Sequence, residues 1–149
     1  MLYRSVYQIV NPFMSNSPLL LVVEDDEDDR EFLQSVVEKS DHPCELIFAH
    51  DGQHALEILR DLSPQMIITD INMPRMNGLE LLERLRSMQQ WLHIPVLFLT
   101  TSQGEETVKE AYLQGANSYI TKPSTQDGLV LIWDQIYRYW IELNKTAFN

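Results

Sequence analysis

The stretch Leu19-Leu20-Leu21-Val22-Val23-Glu24-Asp25-Asp26 decides the fold. A short apolar run that stops abruptly at acids reads as a strand buried on both faces. Residues 26–39 follow, with Phe32, Leu33, Val36 and Val37 at helical spacing, acids at the front and Lys39 at the end, as a helix dipole prefers. The same alternation continues along the chain. A strand at 44–49 leads to a helix opened by Asp51-Gly52, carrying Ala55, Leu56, Ile58 and Leu59 and broken at Ser63-Pro64. A strand at 66–69 ends at Asp70, and a loop at 71–76 leads to Asn77, which with Glu80 three residues on predicts a capping box ahead of Leu79, Leu82 and Leu85. A strand at 95–99 runs into Thr100-Thr101-Ser102, then a helix at 104–113 is closed by Gly115. The last pair is a strand at 118–121, ending at Lys122-Pro123, and a helix at 124–143. Five strand–helix pairs in strict order predict an α/β fold, a doubly wound parallel sheet with helices on both faces.

The 149 residues fit one domain, and 22 Asp+Glu against 11 Lys+Arg give a net charge of −11. That balance argues against nucleic-acid or anionic-membrane partners and favours cations or basic protein surfaces. A lone cysteine, Cys44, excludes an intramolecular disulfide and an all-cysteine zinc site. No run approaches the ~20 apolar residues of a membrane span, and a cytoplasmic location is the expectation. Residues 1–16 lack the apolar core of a secretory signal. They read as a flexible N-terminal extension, although residues 2–10 alternate loosely enough to add a short strand or pack on a partner.

In a parallel sheet, working groups gather beyond the carboxyl ends of the strands. Here those ends carry Glu24-Asp25, Asp70, Thr100 and Lys122. Three close carboxylates repel unless a cation joins them. Mg²⁺ suits them: it takes one or two carboxylates and fills its shell with water and phosphate or carbonyl oxygens. The four histidines, His42, His50, His54 and His93, have no zinc-ligand spacing. With the ion in place, one carboxylate can act as nucleophile toward phosphorus, Lys122 can neutralise the phosphoryl oxygens, and Thr100 can donate to them. The product is an aspartyl phosphate, which adds roughly 1.5 to 2 negative charges at neutral pH.

Four segments in order, LVVEDDEDDR (21–30), IITDINMPRMNGLELLERLR (67–86), PVLFLTTS (95–102) and SYITKPST (118–125), resemble the receiver domain of two-component response regulators. The resemblance runs from about residue 19 to 140 and implies a flavodoxin-like sheet of strand order 2-1-3-4-5. It divides the chain into the extension at 1–16, a receiver at 17–143 and a tail at 144–149. It makes Asp70 the phosphoacceptor and assigns the metal, Mg²⁺ or Mn²⁺, to Asp25, Asp70, the Asn72 backbone carbonyl and, mainly through water, Glu24. Thr100 becomes the hydroxyl switch, Tyr119 its aromatic partner and Lys122 the phosphate clamp, with a cis Lys122–Pro123 bond. Glu24 stands where Asp is frequent and Ser124 where Phe is common. The acids at 26–29 read as a solvated helix start.

The function implied is a stand-alone phospho-switch, not an enzyme beyond its own phosphorylation and dephosphorylation. A histidine kinase or histidine phosphotransfer protein supplies the phosphoryl group, and a separate protein receives the shape change. A receiver-like binding module that is never phosphorylated is the alternative, although such modules usually lose an acid or the lysine. An Asp-nucleophile phosphatase of the haloacid-dehalogenase type needs a second Asp where Asn72 stands. On the last helix Leu129, Ile132, Trp133, Ile136, Trp140 and Leu143 form a core stripe. Val130, Tyr137 and Ile141 add an apolar face suited to a partner or a homodimer.

Overall fold

The computed structural model describes residues 17–42 and 44–146; the extension at 1–16 and the last three residues of the tail lie outside them. Five parallel strands form one sheet: β1 Leu19–Val23, β2 Glu45–Ala49, β3 Met66–Thr69, β4 Val96–Thr100 and β5 Ser118–Thr121. Their order is β2-β1-β3-β4-β5, and every neighbouring pair is parallel. Five α-helices connect and complete them: α1 Glu27–Lys39, α2 Gly52–Leu59, α3 Gly78–Arg86, α4 Glu105–Leu113 and α5 Gln126–Ile136. This is the doubly wound parallel sheet that the alternation predicts, in the flavodoxin-like strand order that the receiver resemblance implies.

The sheet separates two cores because side chains along a strand point alternately to its two faces. Leu19, Leu21 and Val23 of β1 meet α2, α3 and Ala111 of α4 on one side. Leu20 and Val22 meet α1 and α5 on the other, around the buried Trp133. All five residues of β1 are buried, which is why the strand reads as an unbroken apolar run.

The helix starts are set by side-chain caps. Asp26 accepts from Asp29 N at 3.1 Å, and Asp51 accepts from His54 N at 2.8 Å. The capping box is present in full, with Asn77 N donating to Glu80 Oε1 and Glu80 N to Asn77 Oδ1. The final helix begins two residues later than its pattern predicts, because Thr125 caps it through Gly128 N at 3.1 Å. Its second half also differs: from Tyr137 to Leu143 the winding is π-helical, ending with Asn144 N on Tyr139 O at 2.7 Å.

That change of winding rotates the residues after it and revises the predicted faces. Leu143, expected in the core stripe, is 69% exposed. Tyr137, expected on the partner face, is buried because the loop after α1 covers it: its ring stacks on His42 at 4.4 Å and leans on Trp133 at 5.9 Å. Ile141, assigned to the same face, packs against the α1–α5 core. Val130 remains exposed as expected, joined by Leu131 and Tyr139.

At the opposite edge from the strand ends that carry the acids, Arg86 ties the chain together. Its guanidinium donates to the carbonyls of Trp91, Leu92, Ile94 and Gly115 and to Asn117 Oδ1, which also accepts from Val96 N. Gly115 adopts φ +103° and lies against the Arg86 side chain. Arg86→Ala strands these acceptors, so urea unfolding is expected to show a loss of about 2 kcal/mol, whereas Arg84→Ala on the exposed face of α3 stays within about 0.5 kcal/mol.

Candidate functional site

The backbone aims the acids before any side chain acts. Glu24 follows β1 directly, its N–H donates to Ala49 O at 2.9 Å, and Arg30 Nη1 holds its carbonyl at 2.8 Å. Asp70 continues β3 by donating its N–H to Val23 O at 3.0 Å. Its Oδ1 accepts from Ile71 N at 2.6 Å, which fixes the carboxyl orientation. Helix α3 closes tightly on this point: a Cβ on Gly78 would stand 2.1 Å from Asp70 O, so no larger residue fits. Lys122 extends the β4–β5 ladder by one bond, N–H to Thr100 O at 2.8 Å, and its side chain then turns back across the sheet edge.

The structure brings Glu24, Asp25, Asp70 and Lys122 together. One oxygen from each of the three acids lies within 4.8 Å of the others. Glu24 is buried, Asp70 half-buried and Asp25 exposed. The Lys122 ammonium contacts Glu24 Oε1 closely, Asp29 Oδ2 at 2.8 Å and Asp70 Oδ2 at 3.1 Å. Thr100 is fully buried, and its Oγ1 accepts from Ser102 N at 3.3 Å. Tyr119 reaches the same loop, its hydroxyl donating to Ser102 O at 2.7 Å, with its ring tilted against Phe98. The Asn72 side chain donates to Ser102 Oγ at 2.8 Å. Ser102 thus joins Thr100, Tyr119 and Asn72, while the carboxylates are joined by Lys122.

Two expectations change. Lys122–Pro123 is trans, as are all the described peptide bonds; trans is the more stable isomer of an X–Pro bond, and from it the ammonium already reaches all three acids. Asp29 is not merely part of a solvated helix start but a direct partner of Lys122. Its sequence gave no sign of this, since it sits among other acids in the first turn of α1. A further tie went unsignalled: buried Asp51 accepts from Arg75 Nε at 2.6 Å, with Arg75 at φ +63°. Gly52 N donates to Met76 O at 3.0 Å, so the loop after β3 is fastened to the start of α2.

The electrostatics follow from crowding. Burial pushes the Glu24 carboxyl up to about 7; the Lys122 ammonium opposes this and the neighbouring Asp70 adds to it. Burial alone disfavours the Lys122 charge, but the hydrogen bonds it donates to Asp29 and Glu24 and the charges of Glu24 and Asp70 outweigh it and hold the ammonium above its ordinary value. One ammonium therefore leaves the carboxylates undercompensated. The donors are all hard oxygens, with no His or Cys among them, which fits Mg²⁺ or Mn²⁺ and not a thiophilic metal.

With this geometry in hand, similarity to known proteins is specific. Residues 20–133 match the family model described as the response regulator receiver domain. The chain belongs to this family. The receiver is 32% identical over 136 residues to response regulator Rcp1 of Synechocystis, covering 86% of this chain and 92% of Rcp1. It is 36% identical over 115 residues to hybrid signal transduction histidine kinase D of Dictyostelium discoideum, covering 77% of this chain but 7% of the kinase. The phosphorylated cyanobacterial phytochrome response regulator RcpA superposes with a TM-score of 0.82 at 28% identity, covering 88% of this chain and 99% of RcpA. The Mn²⁺-bound form of Rcp1 gives 0.78 at 30% identity, covering 87% and 99%. Receiver domains are signalling proteins that accept phosphoryl groups from histidine kinases and bind Mg²⁺ or Mn²⁺ through an acidic pocket. Among the described residues no helix is long and apolar enough to cross a membrane.

The raised Glu24 pKa fixes a sign for stability. A carboxyl that titrates near 7 when folded and near 4.5 when unfolded makes the native state bind more protons between those values. Its contribution is present in full below pH 4.5 and is lost as pH rises to about 7. In chelator-treated protein, the Glu24 contribution is expected to fall with pH across this window by at most about 1.4 kcal/mol per unit. Glu24→Gln should flatten this part of the profile in parallel urea titrations at fixed ionic strength.

Proposed function

We propose that this receiver is a phospho-switch in which Asp70 takes a phosphoryl group from the phosphohistidine of a histidine kinase or a histidine phosphotransfer protein. The observation that supports it most is the Lys122 ammonium set against Asp70 and Glu24 at the carboxyl edge of the sheet. A carboxylate oxygen of Asp70 attacks phosphorus and the phosphorus–nitrogen bond breaks, its electron pair going to the donor's ring, which carries a proton on its other nitrogen and so leaves as neutral imidazole. Lys122 counters the charge that gathers on the phosphoryl oxygens, and Ile71 N–H holds the attacking carboxyl in orientation. Glu24, Asp25 and Asp70 are the side chains that would hold a divalent cation, with the Asn72 carbonyl as a further oxygen donor. When bound, the cation supplies the positive charge that one lysine cannot.

Asp70 phosphate changes the local balance from carboxylate to a more highly charged group with new acceptor oxygens. The Thr100 hydroxyl oxygen accepts from Ser102 N–H, and its own proton is the one that would turn to the phosphoryl oxygens. Its movement would disturb the Ser102 hub and release Tyr119 from Ser102 O. Phosphorylation then favours an alternative arrangement by differential stabilisation, and a separate partner protein reads the change.

Intact-mass analysis after incubation with acetyl phosphate and Mg²⁺ tests the reading. One phosphoryl group is expected on the wild type, none on Asp70→Asn, and about 10²-fold slower labelling of Lys122→Ala. Equal labelling of the wild type and Asp70→Asn overturns the assignment.

A further inference from the structure

Asp29 has no role in the phosphoacceptor reading, yet it is well placed to influence it. The Lys122 ammonium lies 2.8 Å from Asp29 Oδ2, nearer than the 3.1 Å to Asp70 Oδ2, with Glu24 Oε1 in closer contact than either. Asp29 is anchored in the first turn of α1, where its N–H donates to the Asp26 side chain. Its carboxylate is not part of the group that could hold a cation, which consists of Glu24, Asp25 and Asp70 among the described residues. The two other acids on Lys122, Glu24 and Asp70, are both members of that group.

Lys122 thus faces two kinds of acceptor. Glu24 and Asp70 would be shared with a divalent cation, whose charge repels the ammonium. Asp29 would not be. A half-buried ammonium that loses its partners is costly, and Asp29 offers it one that the cation does not claim. When phosphoryl oxygens arrive at Asp70, the same carboxylate competes with them for the ammonium.

We propose that Asp29 is a positioning residue that parks Lys122: it eases cation binding by drawing the ammonium off Glu24 and Asp70, and it restrains the phosphorylated state by competing for the same ammonium. The inference rests on the phosphoacceptor reading of Asp70. A variant without Asp29 leaves Lys122 only the acids the cation needs, and frees it for the phosphoryl group.

Removing any nearby negative charge weakens cation binding and strengthens anion binding, so the sign alone does not identify the mechanism. Dependence on Lys122 does. Calorimetric titration of the full chain with Mg²⁺, and with beryllium fluoride at saturating Mg²⁺, compares Asp29→Asn with Asp28→Asn, which removes a charge from the same turn. Relative to Asp28→Asn, Asp29→Asn is expected to weaken Mg²⁺ about fivefold and to tighten beryllium fluoride about threefold, in the range of couplings between contacting residues. Asp29→Glu should restore part of both. In a Lys122→Ala background the excess effect of Asp29→Asn on Mg²⁺ should disappear.

Equal constants for Asp29→Asn and Asp28→Asn, or an excess that survives undiminished in Lys122→Ala, overturn the proposal. Acetyl phosphate labelling keeps the two readings apart. Asp70-dependent labelling with no excess at Asp29 rejects only the parking role, whereas labelling that ignores Asp70→Asn rejects the phosphoacceptor reading beneath it.

Discussion

Lys122 shares one ammonium among Glu24, Asp29 and Asp70, and the architecture around the site serves to hold that arrangement. The lysine comes from the end of the edge strand β5, while Glu24 follows β1, three places further in, beyond β4 and β3. Only the parallel sheet, which sets all strand ends on one edge, lets a flexible side chain span that distance. The backbone bond from Lys122 to Thr100 O starts the span from a fixed point. The remaining imbalance of charge suits the site to a divalent cation, while burial, with the neighbouring Asp70 charge adding to it, raises the Glu24 pKa.

Around this centre side-chain hydrogen bonds tie the loops to one another. Ser102 joins the end of β4, the Tyr119 side chain of β5 and the loop after β3 through Thr100, Tyr119 and Asn72. Asp51 and Arg75 fasten that same loop to α2 from the other side, and Gly78 lets α3 press on Asp70 itself. Arg86 performs a comparable bracing task at the far edge of the sheet, away from the chemistry.

Several features were legible because they depend on local rules. The apolar run of β1, the capping box at Asn77 and Glu80, and the acids and lysine at strand ends all follow from neighbours in sequence. Others were not. The π winding after Ile136 carries no Gly or Pro to announce it, so the continuous stripe of the last helix misassigned Leu143. Tyr137 is buried by His42, which lies about a hundred positions away in the chain, and no helical periodicity encodes that cover. Asp29 looks like any acid in a first turn until Lys122 is folded onto it.

The sequence by itself determined the alternation of strands and helices, hence a parallel sheet, and the residue types that must meet at its carboxyl edge. It could do so because burial on both faces of a strand and capping of a helix are short-range demands on composition. The tertiary structure alone decided which acids share the lysine, which loops lock on Ser102 and Arg75, and which face of the last helix stays open. Those outcomes depend on distances between segments far apart in the chain, where a few ångströms separate a solvated charge from a partnered one.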